Sequence, residues 1–459
     1  MAPAPVSVQQ QQRRKILTVL MISLLLDLIS FTFILPLFPS LLTFYRNRDP
    51  SPNSLLNRVF HYLNAYKNSF ARPIDSRYDI VLLGGALGSL FSLLQAIAAP
   101  FIGRLSDQHG RRTALLCSMV GNILSVALWV AATDFRTFLA SRVVGGLSEG
   151  NVQLANAIAT DISDESQRGS TMALVGACFS IAFTCGPALG AALSNITTVA
   201  ANPFATAAGV SLALIVLETV YIYFRLPETH PRFTKLKRPS SSTTTTPDGS
   251  TSDSAHEPAD VAPAPHQHVN NPAVLNILHL LFLLPFSGLE FSLPFLTATL
   301  YAGNSTSSPS ALNGRLLSLM GLIASLLQGT VVRRVSPLLT VRAGVVACAL
   351  AFFLLARVSS ITGLYASGCL LAVTSATVVT GLNSLGSFEA REGERGRVLG
   401  QLRSWGQAGR AAGPLLFCSL FWWVGREIAY TAGGLAMLVV CVAVFTLLKA
   451  PPVTKVKST

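Results

Sequence analysis

The chain has 459 residues, of which 51% are hydrophobic and 12% charged, with a mean hydropathy of +0.51. So little charge cannot cover the surface of a soluble domain of this size, which argues against a water-soluble enzyme and for an integral membrane protein. The formal net charge of +13 would suggest nucleic acid in a soluble chain, but loop cations at a membrane face account for it, and no nucleic-acid partner is expected.

Apolar runs of about twenty residues, the length that crosses a ~30 Å hydrocarbon core, recur about twelve times. After a short tail at 1–15 they fall at 16–44, 80–101, 113–132, 135–158, 168–193 and 204–225. The second set falls at 274–299, 311–332, 338–356, 361–383, 397–423 and 429–448. This predicts an all-α membrane protein with twelve transmembrane helices in two six-helix bundles, 16–228 and 273–449, and a tail at 450–459. The first outer loop, 46–78, is long. Within it Leu55, Leu56, Val59, Phe60, Leu63 and Tyr66 follow helical spacing behind a possible Ser54 cap, which predicts a short amphipathic helix. Between the bundles, 229–272 is rich in Ser, Thr, Pro, Asp and His from Pro239 onward and reads as a disordered linker.

Cations decide the orientation. Arg13, Arg14, Lys15, Arg104, Arg111, Arg112, Arg225, Arg334, Arg342 and Arg397 all fall on one face, together with both tails and the linker. That face is therefore expected to be cytoplasmic. The first outer loop departs from this, carrying Arg46, Arg48, Arg58, Lys67, Arg72 and Arg77. Two glycosylation sequons, at Asn195 and Asn304, sit on loops the same topology puts outside. Whether the membrane is the plasma membrane or an endomembrane is left open. All seven cysteines lie within the expected spans, as small apolar residues rather than a disulfide or zinc framework.

The halves repeat each other. Glu165, Arg168, Gly169, Gly186 and Pro187 recur as Glu392, Arg395, Gly396, Gly413 and Pro414 at a constant offset of 227. Gly88, Ser92, Leu93, Leu94 and Gln95 recur as Gly321, Ser325, Leu326, Leu327 and Gln328. Parallel halves of this kind place a substrate site between them near mid-membrane.

Several side chains within the spans are costly in lipid unless paired or hydrated. Asp27 lies twelve residues beyond Lys15, roughly 18 Å along a helix. Arg142 and Glu149 stand seven apart with Gly145 and Gly146 between them. Glu290 is deep in the seventh run, and Arg403, Gln407 and Arg410 form a stripe on the eleventh. Glu218, on the sixth, reads as structural, reaching toward Arg225.

The loop Gly103-Arg104-Leu105-Ser106-Asp107-Gln108-His109-Gly110-Arg111-Arg112 resembles the signature between helices 2 and 3 of the major facilitator superfamily. The stretch with Gly186, Pro187 and Gly190 is similar to that superfamily's antiporter motif, with alanine at its first and last positions. Gly409, Gly413 and Pro414 repeat its core on the eleventh run. Pro227-Glu228-Thr229, Leu25-Leu26-Asp27-Leu28 and Arg410-Ala411-Ala412-Gly413-Pro414 resemble the drug:proton antiporter group, and within it the eukaryotic tetracycline-transporter-like proteins.

The resemblance implies a major facilitator fold with helices 1, 4, 7 and 11 around a central cavity. It implies that Asp107 docks on the start of helix 11 and latches the cytoplasmic end, with Gly103, Gly110, Arg111 and Arg112 completing the gating loop. Asp27, Glu149 and Glu290 are then candidates for proton exchange, and Arg142, Arg410, Gln95 and Gln407 for the substrate cavity. The implied function is export of amphiphilic solutes, organic anions or drugs, driven by a proton gradient. A sugar-like uniporter or symporter, and a transporter-derived sensor or lipid-handling protein, remain alternatives. No Gly-rich phosphate loop or paired histidines appear, so neither an enzyme, a cofactor nor a metal is expected. The expected partners are the bilayer and a small organic solute, with the chain a monomer.

Overall fold

A run of apolar residues in lipid has no water to take up its backbone N–H and C=O groups, so it must close those bonds on itself as a helix. The computed structural model, which describes residues 8–48, 51, 53–70, 79–194, 196, 199, 202–236, 269–300 and 309–451, follows that rule. No strand occurs among the described residues. The first half contains α1 (Val8–Thr32), α2 (Ile34–Arg48), α3 (Leu55–Asn68), α4 (Asp79–His109), α5 (Arg111–Ala131), α6 (Phe135–Ser148), α7 (Asn151–Asp161), α8 (Glu165–Ser194) and α9 (Ala205–Arg225). After the short α10 (Pro231–Leu236) come α11 (Pro272–Leu300), α12 (Pro309–Leu327), α13 (Pro337–Ala356), α14 (Ile361–Phe388), α15 (Arg395–Val424) and α16 (Arg426–Leu447).

Ten of the described helices are long and apolar enough to cross a membrane. The other two expected spans are the polar ones. One is α15, with Arg395, Arg397, Arg403 and Arg410 along it. The other, expected as a continuous helix over 135–158, breaks at Glu149 and Gly150 into α6 and α7. Ser118 of α5 repairs the break, donating to the Ser148 carbonyl and accepting from the Gly150 N–H at 2.9 Å. The first expected span also breaks, at Phe33, because Pro36 has no N–H to return to the Thr32 carbonyl. The eighth ends in a π-helical turn, Gln328–Val332.

Each half buries its own core. One cluster, around Leu20, Leu41, Met119, Trp129, Phe138 and Ile158, belongs entirely to the first half. The other, around Phe282, Leu293, Val345, Phe352, Leu385 and Tyr430, belongs to the second apart from Leu82 and Ala157. Outside these cores large apolar side chains face outward on helix after helix, among them Phe101, Val120, Phe224, Leu350 and Val439. A belt of that kind suits lipid and would aggregate in water.

The amphipathic helix expected within 46–78 is α3. Ser54 Oγ caps it by accepting from the Asn57 N–H at 3.2 Å, and Leu56 and Phe60 are buried beneath it. Lys67 pairs with Asp79 at 2.5 Å. Its Tyr66 reaches the second half, bonding Ser419 Oγ of α15 at 2.8 Å. The linker expected over 229–272 is ordered where it is described. At one end α10 forms, and at the other Asn270 is buried, donating to Glu389 at 2.9 Å from its backbone N–H. Residues 237–268 lie outside the described residues.

Candidate functional site

A seam between α4 and α15 joins the two halves. At one end Asp107 accepts from the backbone N–H groups of Gly396 at 2.9 Å and Arg397 at 2.7 Å, where the α15 dipole is positive. One turn along α4, Gly103 lies against the Gly396 carbonyl so closely that a Cβ would strike it. Ala99 meets Gly400 in the same way. Next, Ser404 Oγ donates to the Ala96 carbonyl at 2.6 Å, and Arg403 Nη2 donates to Gln95 Oε1 at 3.2 Å. Residues three or four apart on each helix thus form successive rungs running inward from Asp107. Asp107 itself lies in the last turn of α4 and not in a loop as the sequence pattern suggests, because α4 continues to His109.

Buried charge surrounds the outer rung. Arg111 has no exposed surface and donates to Asp107 at 2.6 Å, Ser106 at 2.7 Å and Asp161 at 2.7 Å. Asp161 also takes Arg395 of α15 at 2.9 Å, so one carboxylate balances an arginine from each half. The Gly110 φ of +94°, a conformation L side chains rarely adopt, turns α4 into α5. Glu228 then fills the bared α5 N-terminus, accepting from the Arg111 N–H at 2.8 Å and the Arg112 N–H at 3.2 Å. Arg112 lies over the Tyr223 ring at 5.1 Å and donates to the Tyr223 carbonyl. Sequence reasoning treated the Pro-Glu-Thr stretch as a family mark and overlooked Glu228 as a cap. An acid just past a helix end, facing an N-terminus elsewhere, carries no local periodicity that would reveal it.

Inside the first half a small cavity is lined by Asp27, Phe31, Asn122, Arg142, Glu149 and Ser211, among others. Arg142 and Glu149, seven apart in the chain, make no ion pair with each other among the described residues. Glu149 accepts from Asn122 Nδ2 at 3.3 Å, while Arg142 sits over the rings of Phe138 at 5.6 Å and Phe91 at 5.9 Å. Glu218 is not directed to Arg225: it is buried, its Oε2 has no hydrogen-bond partner, and its charged neighbours are Asp27 and Glu149.

In the second half Arg410 faces Glu290 at 3.7 Å, with 41% and 39% of their side chains exposed. An exposed ion pair halfway along two long helices lines an aqueous space rather than lipid. Gln407, one turn away, keeps an enclosed Oε1 without a partner. His279 of α11 packs against Gly406, with Nδ1 on the Leu402 carbonyl at 2.9 Å and Nε2 unbonded. This histidine escaped sequence reasoning because a lone His in an apolar run gives no signal until its partner helix is known.

The glycines of the two motifs pack helices within each half. Gly186 and Gly190 of α8, flanking Pro187, lie against Thr32 and the Phe33 carbonyl at the break between α1 and α2. Gly409 and Gly413 of α15, beside Pro414, lie against the Leu280 and Leu284 carbonyls of α11. Asn195 and Asn304 lie outside the described residues.

Comparison with known proteins agrees with this architecture. Residues 20–414 match the family described as Major Facilitator Superfamily. The mouse major facilitator superfamily domain-containing protein 10 is 35% identical over 96% of this chain and 93% of its own length. Its human counterpart is 34% identical over 95% and 94%. The crystal structure of the human organic anion transporter MFSD10 (TETRAN) superposes with a TM-score of 0.78 at 30% identity, covering 94% of this chain and 99% of that one. The apolar helices, the paired cores and these matches agree: the chain is a multi-pass membrane transporter and belongs to the Major Facilitator Superfamily.

Proposed function

We propose that the protein exports small amphiphilic organic solutes, organic anions foremost, by proton-coupled antiport with alternating access. The observation that carries this reading is the solvent-open Arg410–Glu290 pair midway along α15 and α11, facing a first half that holds Asp27 and Glu149. Arg410 supplies a cation to an entering anion, and the enclosed Gln407 Oε1 an acceptor for a donor group elsewhere on the solute. The acids are the proton carriers, competing with solute so that each drives release of the other. The similarity to the human organic anion transporter MFSD10 lends the anion its weight.

In this reading twelve spans rock as two bundles, and the end bearing Asp107, both termini and the linker is cytoplasmic. The Asp107 contact with α15 is the latch that holds that end shut. Asn195 and Asn304 face outward as glycosylation sites. The working unit is a monomer that needs a proton gradient and no cofactor.

The test is flux in sealed liposomes over a panel of fluorescent organic anions, with and without an imposed pH difference. Solute should move against its gradient when protons run the opposite way, and Asp27→Asn should abolish that drive while downhill binding survives. Accumulation on the side opposite to that expected would make the protein a symporter, and flux indifferent to the gradient a uniporter.

A further inference from the structure

The fourth expected span breaks at an acid. α6 ends at Ser148 and α7 begins at Asn151, with Glu149 and Gly150 between them. A break at this depth strips backbone groups of their helical partners, and other groups must take them up. The second half shows that the fold itself does not require it. At the offset of 227, Glu149 and Gly150 become Ala376 and Thr377, and α14 runs unbroken over Ile361–Phe388. Thr160 and Ser387, further along the same helices, hold that register, each accepting from an arginine of the other half. The acid and the break are therefore present together in one half and absent together in the other.

Support for the break comes from α5. At Gly121 that helix lies so near that a Cβ would strike Ser148, and one on Gly150 would meet Ile102. Ser118 takes up both loose backbone groups, donating to the Ser148 carbonyl and accepting from the Gly150 N–H at 2.9 Å. One turn along α5, Asn122 takes up the side chains. Its Oδ1 accepts from Ser148 Oγ at 2.9 Å, which leaves Nδ2 to donate to Glu149 Oε2 at 3.3 Å. That is the one hydrogen bond the Glu149 carboxylate makes among the described residues. Glu149 and Asn122 are both buried and both line the first-half cavity, where Asp27 of α1 and Arg142 of α6 are the other charged groups. A side chain at a break lacks a continuous turn to set its direction, so the partner it bonds decides where it points.

We propose that Asn122 is a positioning residue for Glu149, and that the α6–α7 break presents this acid to the cavity. The amide is held at its oxygen by Ser148 and steadies the carboxylate with its nitrogen. Without Asn122 the acid keeps its cavity but loses its aim. The proposal rests on the reading of Glu149 as a proton carrier and is independent of the solute.

The test uses the full-length protein in nanodiscs, followed by infrared difference spectroscopy on acidification. A carboxylic acid band missing from Glu149→Gln belongs to Glu149. In Asn122→Leu that band should move to higher frequency, because its carbonyl has lost a donor. Asn122→Gln, which keeps the amide, should bring it back toward the parent position. The same variants are then compared in liposomes under an imposed pH difference. Asn122→Leu should lower driven flux on the order of tenfold, matching one hydrogen bond to a charged group, and Asn122→Gln should recover most of it. The proposal is overturned if no band depends on Glu149, or if that band stays in place in Asn122→Leu. It is overturned equally if Asn122→Leu and Asn122→Gln move the band alike. Should Asn122→Leu not fold, Asn122→Ala replaces it and must meet the same outcomes. Flux separates the two readings: a moved band with parent flux indifferent to the pH difference sinks only the antiport reading. Proton-driven flux that Asn122→Leu leaves at the parent rate sinks only this one.

Discussion

Arg168 and Arg395, 227 residues apart, cross between the halves in opposite directions and make the same bond. Arg395 of α15 donates to the Thr160 carbonyl at the end of α7, and Arg168 of α8 donates to the Ser387 carbonyl at the end of α14, both at 3.3 Å. Thr160 and Ser387 are themselves 227 apart. The symmetry fails at the next position. Arg395 meets the carboxylate of Asp161 at 2.9 Å, while Arg168 meets the ring of Phe388 with its guanidinium 5.0 Å from the centroid. The Asp107 end is therefore closed by an ion pair on one side and a cation–π contact on the other. The two should not open with equal ease.

Asp161 is the costlier residue to lose. Asp161→Asn leaves Arg111 and Arg395 facing each other without their shared counter-charge, and breaking a buried pair in this way costs about 3–5 kcal/mol. Phe388→Leu keeps most of the buried apolar bulk and removes mainly a cation–π contact, worth about 0.5–2 kcal/mol. Thermal unfolding of the detergent-solubilised protein should show a clearly larger loss for Asp161→Asn. Equal losses would mean the two sides are equivalent despite their chemistry.

Glu228 holds the turn at Gly110. Glu228→Gln keeps the shape but removes the charge from the α5 N-terminus, at a cost of about 0.3–2 kcal/mol. Hydrogen exchange at the first turn of α5 should rise while the centre of α5 stays protected. Unchanged exchange there would show that the carboxylate charge contributes nothing.

Gly103 leaves no room for a methyl group. In Gly103→Ala the new Cβ meets the Gly396 carbonyl, backbone that cannot swing aside. Substrate flux should fall at least about tenfold, the equivalent of ~1.4 kcal/mol, while expression and melting change little. Full activity would mean that α4 and α15 need not close this tightly during turnover.

Tyr66 makes the contact between α3 and α15 at the opposite end. Burial pushes its phenol up to about 12, so the neutral hydroxyl persists through the physiological range. The folded state therefore holds this proton more tightly than the unfolded one. The contribution is complete below about pH 10 and is lost as pH rises toward 12. Tyr66→Phe should speed labelling of cysteines introduced beside Ser419 by about two- to tenfold, matching one hydrogen bond, with no pH dependence between 6 and 9. A strong dependence in that window would assign the contact to another group.

Much of this protein is legible in its sequence because lipid forces it to be. A bilayer accepts only self-bonded backbone, so run length and apolar content already mark the helices. The constant offset of 227 likewise exposes the two halves before any helix is placed. Local chemistry shows too: Ser54 caps α3, and Gly110 stands where φ must be positive.

Contacts between helices distant in the chain were decided only by the tertiary structure. Nothing local pairs Asp161 with both Arg111 and Arg395, sets Glu228 on the start of α5, parts Glu149 from Arg142, or brings Arg403 to Gln95. Such partners are chosen by the close approach of small residues such as Gly103, Gly396 and Gly400, which fixes how deep and at what rotation two helices meet. Helical periodicity tells which residues share a face. Which face it meets depends on packing summed over both bundles.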